Sequence, residues 1–208
     1  GGLAFAVNGL HDDASVSCAR RGKRVVGLVH EKLTPRKIMT KNAFENAIRI
    51  DMALGGSTNT TLHIPAIAHE AGIELSIGMF DKISRTTPHL CNMLPGGPTY
   101  MEDLDVAGGI PGVLSRFKDV LKKAPTVSGK SIVELAATGR VGNADVIRTL
   151  DRAYHKEGGI AVLSGNLAPN GCVVKQTAVS DKMKKFEGTA IVFDSEEEAM
   201  KAILDNKI

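Results

Sequence analysis

A chain of 208 residues, 43% hydrophobic and 24% charged, holds enough apolar material for one core or two small ones. Its 26 basic residues are nearly matched by 23 acidic ones, so a formal charge of +3 without an aromatic-interleaved basic patch argues against nucleic acid as a partner. No apolar run approaches the roughly 20 residues that span a bilayer, so no membrane partner is expected, and the start at Gly1 lacks the charged n-region and apolar core of a signal peptide.

The first expected helix runs from about Asp13 to Val29, where Cys18, Ala19, Gly22, Val25, Val26 and Val29 recur at helical spacing. Arg20, Arg21, Lys23 and Arg24 fill its other faces as a solvated basic cluster. His11-Asp12-Asp13, just before it, reads as a turn and cap despite its ligand-type side chains. A second helix is expected from about Lys41 to Ala53. It leads into Gly55-Gly56-Ser57-Thr58-Asn59-Thr60, where two glycines permit a tight turn, hydroxyl and amide side chains offer hydrogen bonds, and an apolar run begins a helix. That layout suits a carboxylate cradle at a helix N-terminus, and equally a plain helix cap. The helix reaches Glu70 and ends on Gly72, with Pro65 either kinking it or standing in its first turn. His63 and His69, six residues apart, project on different faces and are not expected to share a metal.

Ser76 should cap a further helix to about Ile83, and two short ones follow at Met101–Ala107 and Pro111–Leu121, the second opening on its proline. Pro95-Gly96-Gly97-Pro98 reads as a surface turn. A connector rich in Gly, Thr and Asn, about Thr138 to Ala144, marks a change of texture. Beyond it Ile160–Leu163, Cys172–Val174 and Ala190–Phe193 read as strands. Ala168-Pro169-Asn170-Gly171 supplies the turn chemistry for a hairpin between the first two, and Ser195-Glu196-Glu197-Glu198 opens a last helix with Ala199, Met200, Ile203 and Leu204 on one face. Gly158, Gly159, Gly165 and Asn166 can either line a cleft or mark turns and bulges. Cys18, Cys91 and Cys172, an odd and scattered set, read as buried free thiols and not as a metal site.

Several of these words stand in one order that resembles a known family. Asp51 to Thr60, Ala66 to Gly72, Phe80 to Leu90, Tyr100-Met101-Glu102-Asp103-Leu104, Ala107-Gly108-Gly109-Ile110-Pro111, Tyr154 to Gly159, Gly165-Asn166-Leu167-Ala168-Pro169 and Phe193 to Ala199 resemble the dihydroxy-acid dehydratase family, which also holds the sugar-acid dehydratases. The first dozen residues depart from it, because Asn8-Gly9 continues as Leu10-His11-Asp12-Asp13. The resemblance implies an α/β fold: a mostly helical part of an α/β N-terminal domain over residues 1–142, then the opening strands of a β-barrel-like C-terminal domain over residues 143–208. It implies the middle part of a longer lyase that dehydrates 2,3-dihydroxy acids to 2-oxo acids in branched-chain amino-acid biosynthesis, or alternatively a sugar-acid dehydratase.

By the same resemblance, the cysteines of an iron-sulfur cluster, the magnesium ligands and the serine base belong outside these residues. No catalytic residue and no metal ligand is therefore assigned to this chain, which alone should be inactive and bind no cofactor. Ser57, Thr58, Asn59 and Thr60 are expected to contact the dihydroxy acid substrate or to support groups that do. A homodimeric, cytoplasmic protein, organellar in a eukaryote, is implied for the whole. Two other classes compete. A non-enzymatic interaction module would use strand edges left open. A phosphate- or nucleotide-binding enzyme lacks the glycine patterns that would support it.

Overall fold

The computed structural model describes residues 14–208, with side chains from Ala19 onward. His11-Asp12-Asp13 and the side chain of Cys18 lie outside the described residues. One compact unit ends at Ala178, and Val179–Ile208 form a second. In the first unit, α1 (Ala14–His30), α2 (Pro35–Ile38), α3 (Lys41–Ala53), α4 (Thr60–Glu70), α5 (Ile77–Ser84), α6 (Met101–Val106), α7 (Gly109–Arg116) and α8 (Ile132–Thr138) precede a hairpin of β1 (Ile160–Leu163) and β2 (Cys172–Lys175). The hairpin is antiparallel, with Ile160 opposite Lys175 and Leu163 opposite Cys172. Its connection is the expected turn, in which the Gly171 amide donates to the Ala168 carbonyl at 3.0 Å.

Helix α3 is the spine of the unit. Ile50, Ala53 and Leu54 enter a core with Leu90, Leu104, Val113 and Phe117, while Ile48 and Met52 enter another with Phe80, Ile83 and Ile160. Each fully buried Ile, Leu or Phe contributes about 1.5–3 kcal/mol, so a helix buried on two sides anchors everything attached to its ends. Thr40 caps it by accepting from the Ala43 amide at 3.3 Å. Asn46, itself buried, donates to the Lys122 carbonyl at 2.7 Å and accepts from the Lys122 amide at 2.9 Å, tying α3 to the chain after α7.

Several boundaries differ from expectation. The α4 helix starts at Thr60 with Pro65 inside it, and ends as foreseen on Gly72 (φ 75°), where the Ile73 and Gly72 amides donate to the Ala68 and His69 carbonyls, both at 2.8 Å. Pro111 sits at the third position of α7, not the first, because the helix opens with the Gly112 amide donating to the Gly108 carbonyl at 2.9 Å. That helix stops at Arg116 and the chain reaches Leu121 in turns. Helices α2 and α8 lie outside the expected set, although Ser131 and Glu134 form a reciprocal capping box at the start of α8. The apolar stripe of α1 stays exposed, with Val29 71% accessible, while Arg24 pairs with Glu31 at 2.6 Å.

In the second unit, Ala190–Phe193 is not a strand. No neighbouring strand offers it a ladder among the described residues, and without one an apolar run has no β pairing to gain. Helix α9 (Glu196–Leu204) follows, with the Ser195 hydroxyl accepting from the Glu198 amide at 3.2 Å. Its Met200, Ile203 and Leu204 are exposed and Ala202 is buried.

Candidate functional site

The glycine pair of Gly55-Gly56-Ser57-Thr58-Asn59-Thr60 belongs to the end of α3 and not to the start of α4. Gly55 (φ 96°) and Gly56 (φ 67°) donate their amides to the Met52 carbonyl at 3.2 Å and the Asp51 carbonyl at 2.8 Å, the paired bonds that close a helix C-terminus. Side chains avoid that left-handed backbone, and space is short as well: a Cβ on Gly55 would lie 2.9 Å from His89 Nε2, and one on Gly56 would lie 2.7 Å from Ile160 Cγ1.

Four residues then carry the chain into α4. Thr58 and Asn59 are exposed, Ser57 and Thr60 half-buried. Asn59 is already helical (φ −62°, ψ −31°) and its side chain makes no capping bond. The amides of Thr60, Thr61 and Leu62 donate back to the carbonyls of Ser57, Thr58 and Asn59 at 3.0, 3.2 and 3.1 Å. The amides at those three positions are thus taken up by the turn, and those of Gly55, Gly56 and Ser57 by Met52 and Asp51, so the loop presents its side chains and not an open row of amides.

Beneath the loop lies a carboxylate that the sequence reading missed. Asp51, 6% exposed, accepts from the Thr60 hydroxyl, with Oγ1 to Oδ2 at 2.7 Å. Burial pushes its pKa up to about 6; the Thr60 hydroxyl, the Ser57 amide and the charge of Lys175 pull the other way. The spacing Asp51 to Thr60 carries no periodic signal, since the two residues meet only after the chain reverses at the glycines.

His89, 1% exposed, was also missed. Its Nε2 lies 2.8 Å from the Cys91 carbonyl, which can only accept, so Nε2 carries the proton and Nδ1 accepts from His155 Nδ1 at 2.9 Å. Burial lowers its pKa to about 4, with His155 and Lys175 acting in the same sense and the Cys91 carbonyl opposing. The two histidines also pair through the backbone, the His89 amide donating to the His155 carbonyl at 3.0 Å.

Gly158 and Gly159 fill the space between these parts. The Gly158 amide donates to the Ser84 carbonyl at 2.9 Å, a Cβ there would lie 2.6 Å from Met52 Cβ, and one on Gly159 would overlap the Gly55 carbonyl. Close backbone approach is therefore what these glycines supply. Gly165 and Asn166 lie instead in the exposed β1–β2 loop, with open space around Gly165. Pro95-Gly96-Gly97-Pro98 is a surface turn, as read.

The described residues do not fit an iron-sulfur cluster or a bound metal. The Cys91 thiol is buried and pushed up to about 12, far from the thiolate that ligates iron. Cys172 is exposed at the first position of β2, a correction to its expected burial. His63 and His69 are both exposed, and no three ligand-type side chains cluster among the described residues.

Comparison with known proteins adds a family. The model for the dihydroxy-acid/6-phosphogluconate dehydratase N-terminal region matches residues 4–135, and that for the C-terminal region matches residues 145–208. A protein of Thermodesulfovibrio yellowstonii called dihydroxy-acid dehydratase is 63% identical over 187 residues, covering 90% of this chain and 34% of its own length. Its namesakes in Endomicrobium trichonymphae and Syntrophotalea carbinolica are 58% and 49% identical, over 90% and 100% of this chain. The chain spans about a third of the length of these curated relatives, 34% to 37%.

Proposed function

The chain belongs to the dihydroxy-acid/6-phosphogluconate dehydratase family, and on that premise we propose that the full-length protein carrying it converts a branched-chain 2,3-dihydroxy acid into a 2-oxo acid. The observation that carries this reading is the 63% identity to a protein called dihydroxy-acid dehydratase. In the reaction the C2 proton leaves to a base, the C3 hydroxyl departs as water, and the resulting enol becomes the 2-oxo acid. Base, iron-sulfur cluster and magnesium are assigned to parts of the protein outside these residues, and no step is routed through groups of this chain that do not fit them.

What this chain supplies is positioning. Ser57, Thr58 and Asn59 offer a hydroxyl, a hydroxyl and an amide at an exposed or half-buried loop, a donor and acceptor set suited to a carboxylate and two hydroxyls. Thr60 holds that loop through Asp51. A boundary between the two domains near residue 143 is proposed with it, supported by the gap between the family matches at residues 4–135 and 145–208. A cytoplasmic homodimer is proposed for the whole.

The family name also covers 6-phosphogluconate, which favours a sugar-acid dehydratase as the second reading. Assaying 2-oxo acid formation by the full-length protein on a branched-chain dihydroxy acid and a six-carbon sugar acid, side by side, decides between them. Turnover of the sugar acid alone refutes the first.

A further inference from the structure

Resting on the reading of the Ser57–Thr60 loop as substrate-contacting, we propose that Asp51 is the positioning residue of that loop, acting through the hydroxyl of Thr60. Three observations carry it. The Asp51 side chain is buried, and it sits on a helix whose neighbours Ile50, Met52 and Ala53 are core residues, so its backbone is anchored by packing. Its carboxylate takes the Thr60 hydroxyl at 2.7 Å while its carbonyl takes the Gly56 amide at 2.8 Å, so one residue holds both ends of the Gly56–Thr60 excursion. Thr60 completes the clamp from the other side, its hydroxyl also lying 2.5 Å from the Ser57 carbonyl. Ser57, Thr58 and Asn59 are the residues between, and their side chains make no hydrogen bond that would fix them independently among the described contacts. Backbone bonds to the Ser57, Thr58 and Asn59 carbonyls close the turn itself, and the Asp51 carboxylate is the buried side-chain tether that seats that turn against α3.

The test uses the full-length protein with Thr60→Val, Thr60→Ser, Asp51→Asn, the Asp51→Asn/Thr60→Val double variant and Asn59→Ala, each checked by circular dichroism and melting. Thr60→Val and Asp51→Asn should each lower kcat about 10-fold or more while KM moves less than about threefold, because misplaced contacts weaken the transition state more than initial binding. Thr60→Ser, which keeps the hydroxyl, should restore kcat to within about threefold of the original. In the double variant the loss should be no larger than in the worse single one, since both changes cut one link. Thr60→Val with unchanged kcat, or losses that multiply in the double variant, overturns the proposal, and Thr60→Val carries the test if Asp51→Asn does not fold. Low kcat in Asn59→Ala with normal kcat in Thr60→Val defeats the positioning role alone. Normal kcat in Asn59→Ala defeats the reading beneath it.

Discussion

Asp51→Asn should change how stability depends on pH, and the structure gives both sign and size. Burial holds Asp51 at about 6 where an ordinary aspartate titrates near 3.8. The native state thus keeps a proton that the unfolded chain has released, and stability falls as pH rises through that window. His89 runs the other way. Held down at about 4 from 6.5, it stays neutral in the native state while the unfolded chain takes up a proton, so its contribution is complete above pH 6.5 and lost on acidification. At about 1.4 kcal/mol per pH unit, each group is worth roughly 3 kcal/mol, and between pH 4 and 6 the two nearly cancel. Replacing Asp51 by Asn removes one partner and unmasks the other. Relative to the original chain, the variant should become about 3 kcal/mol more stable on going from pH 4 to 6.5, measured by urea unfolding at closely spaced pH values. All other groups titrate alike in both proteins, so the difference isolates Asp51. A flat difference profile refutes the argument that this carboxyl titrates while buried.

In the full-length protein, Asn59→Ala should lower turnover roughly 10²-fold while leaving the melting temperature near its original value, because Asn59 makes no capping bond to lose. Gly159→Ala should destabilise the chain by about 2 kcal/mol or more in urea unfolding, since its methyl group meets the Gly55 carbonyl and the backbone on both sides is held by buried residues. Peptide mapping after alkylation of the folded chain should find Cys172 modified and Cys91 spared until unfolding. Anaerobic reconstitution of the 208-residue chain should yield no stoichiometric iron and sulfide, and the chain alone should form no 2-oxo acid from a dihydroxy acid.

Much of the local structure was legible because its causes are local. Helix α3, the Gly72 ending, the Ser195 cap and the β1–β2 hairpin each rest on contacts within a few residues, which period and turn chemistry report. Family membership was legible for another reason: ordered words such as Gly-Gly-Ser-Thr-Asn-Thr survive in the sequence whatever they do in space.

Tertiary structure decided the rest. Whether Gly55-Gly56 closes the helix before it or opens the one after it depends on which carbonyls the chain can reach, and both helix ends are plausible from sequence. Asp51 and His89 take their protonation from burial, and their partners Thr60 and His155 lie 9 and 66 residues away, which no periodicity encodes. The same limit explains the run at Ala190–Phe193, whose β-forming residues cannot become a strand without a neighbour. Sequence by itself determined the helices other than α2 and α8, the hairpin and the family. Only the folded chain set a buried carboxylate beneath the loop, because desolvation and long-range hydrogen bonds exist only once distant segments meet.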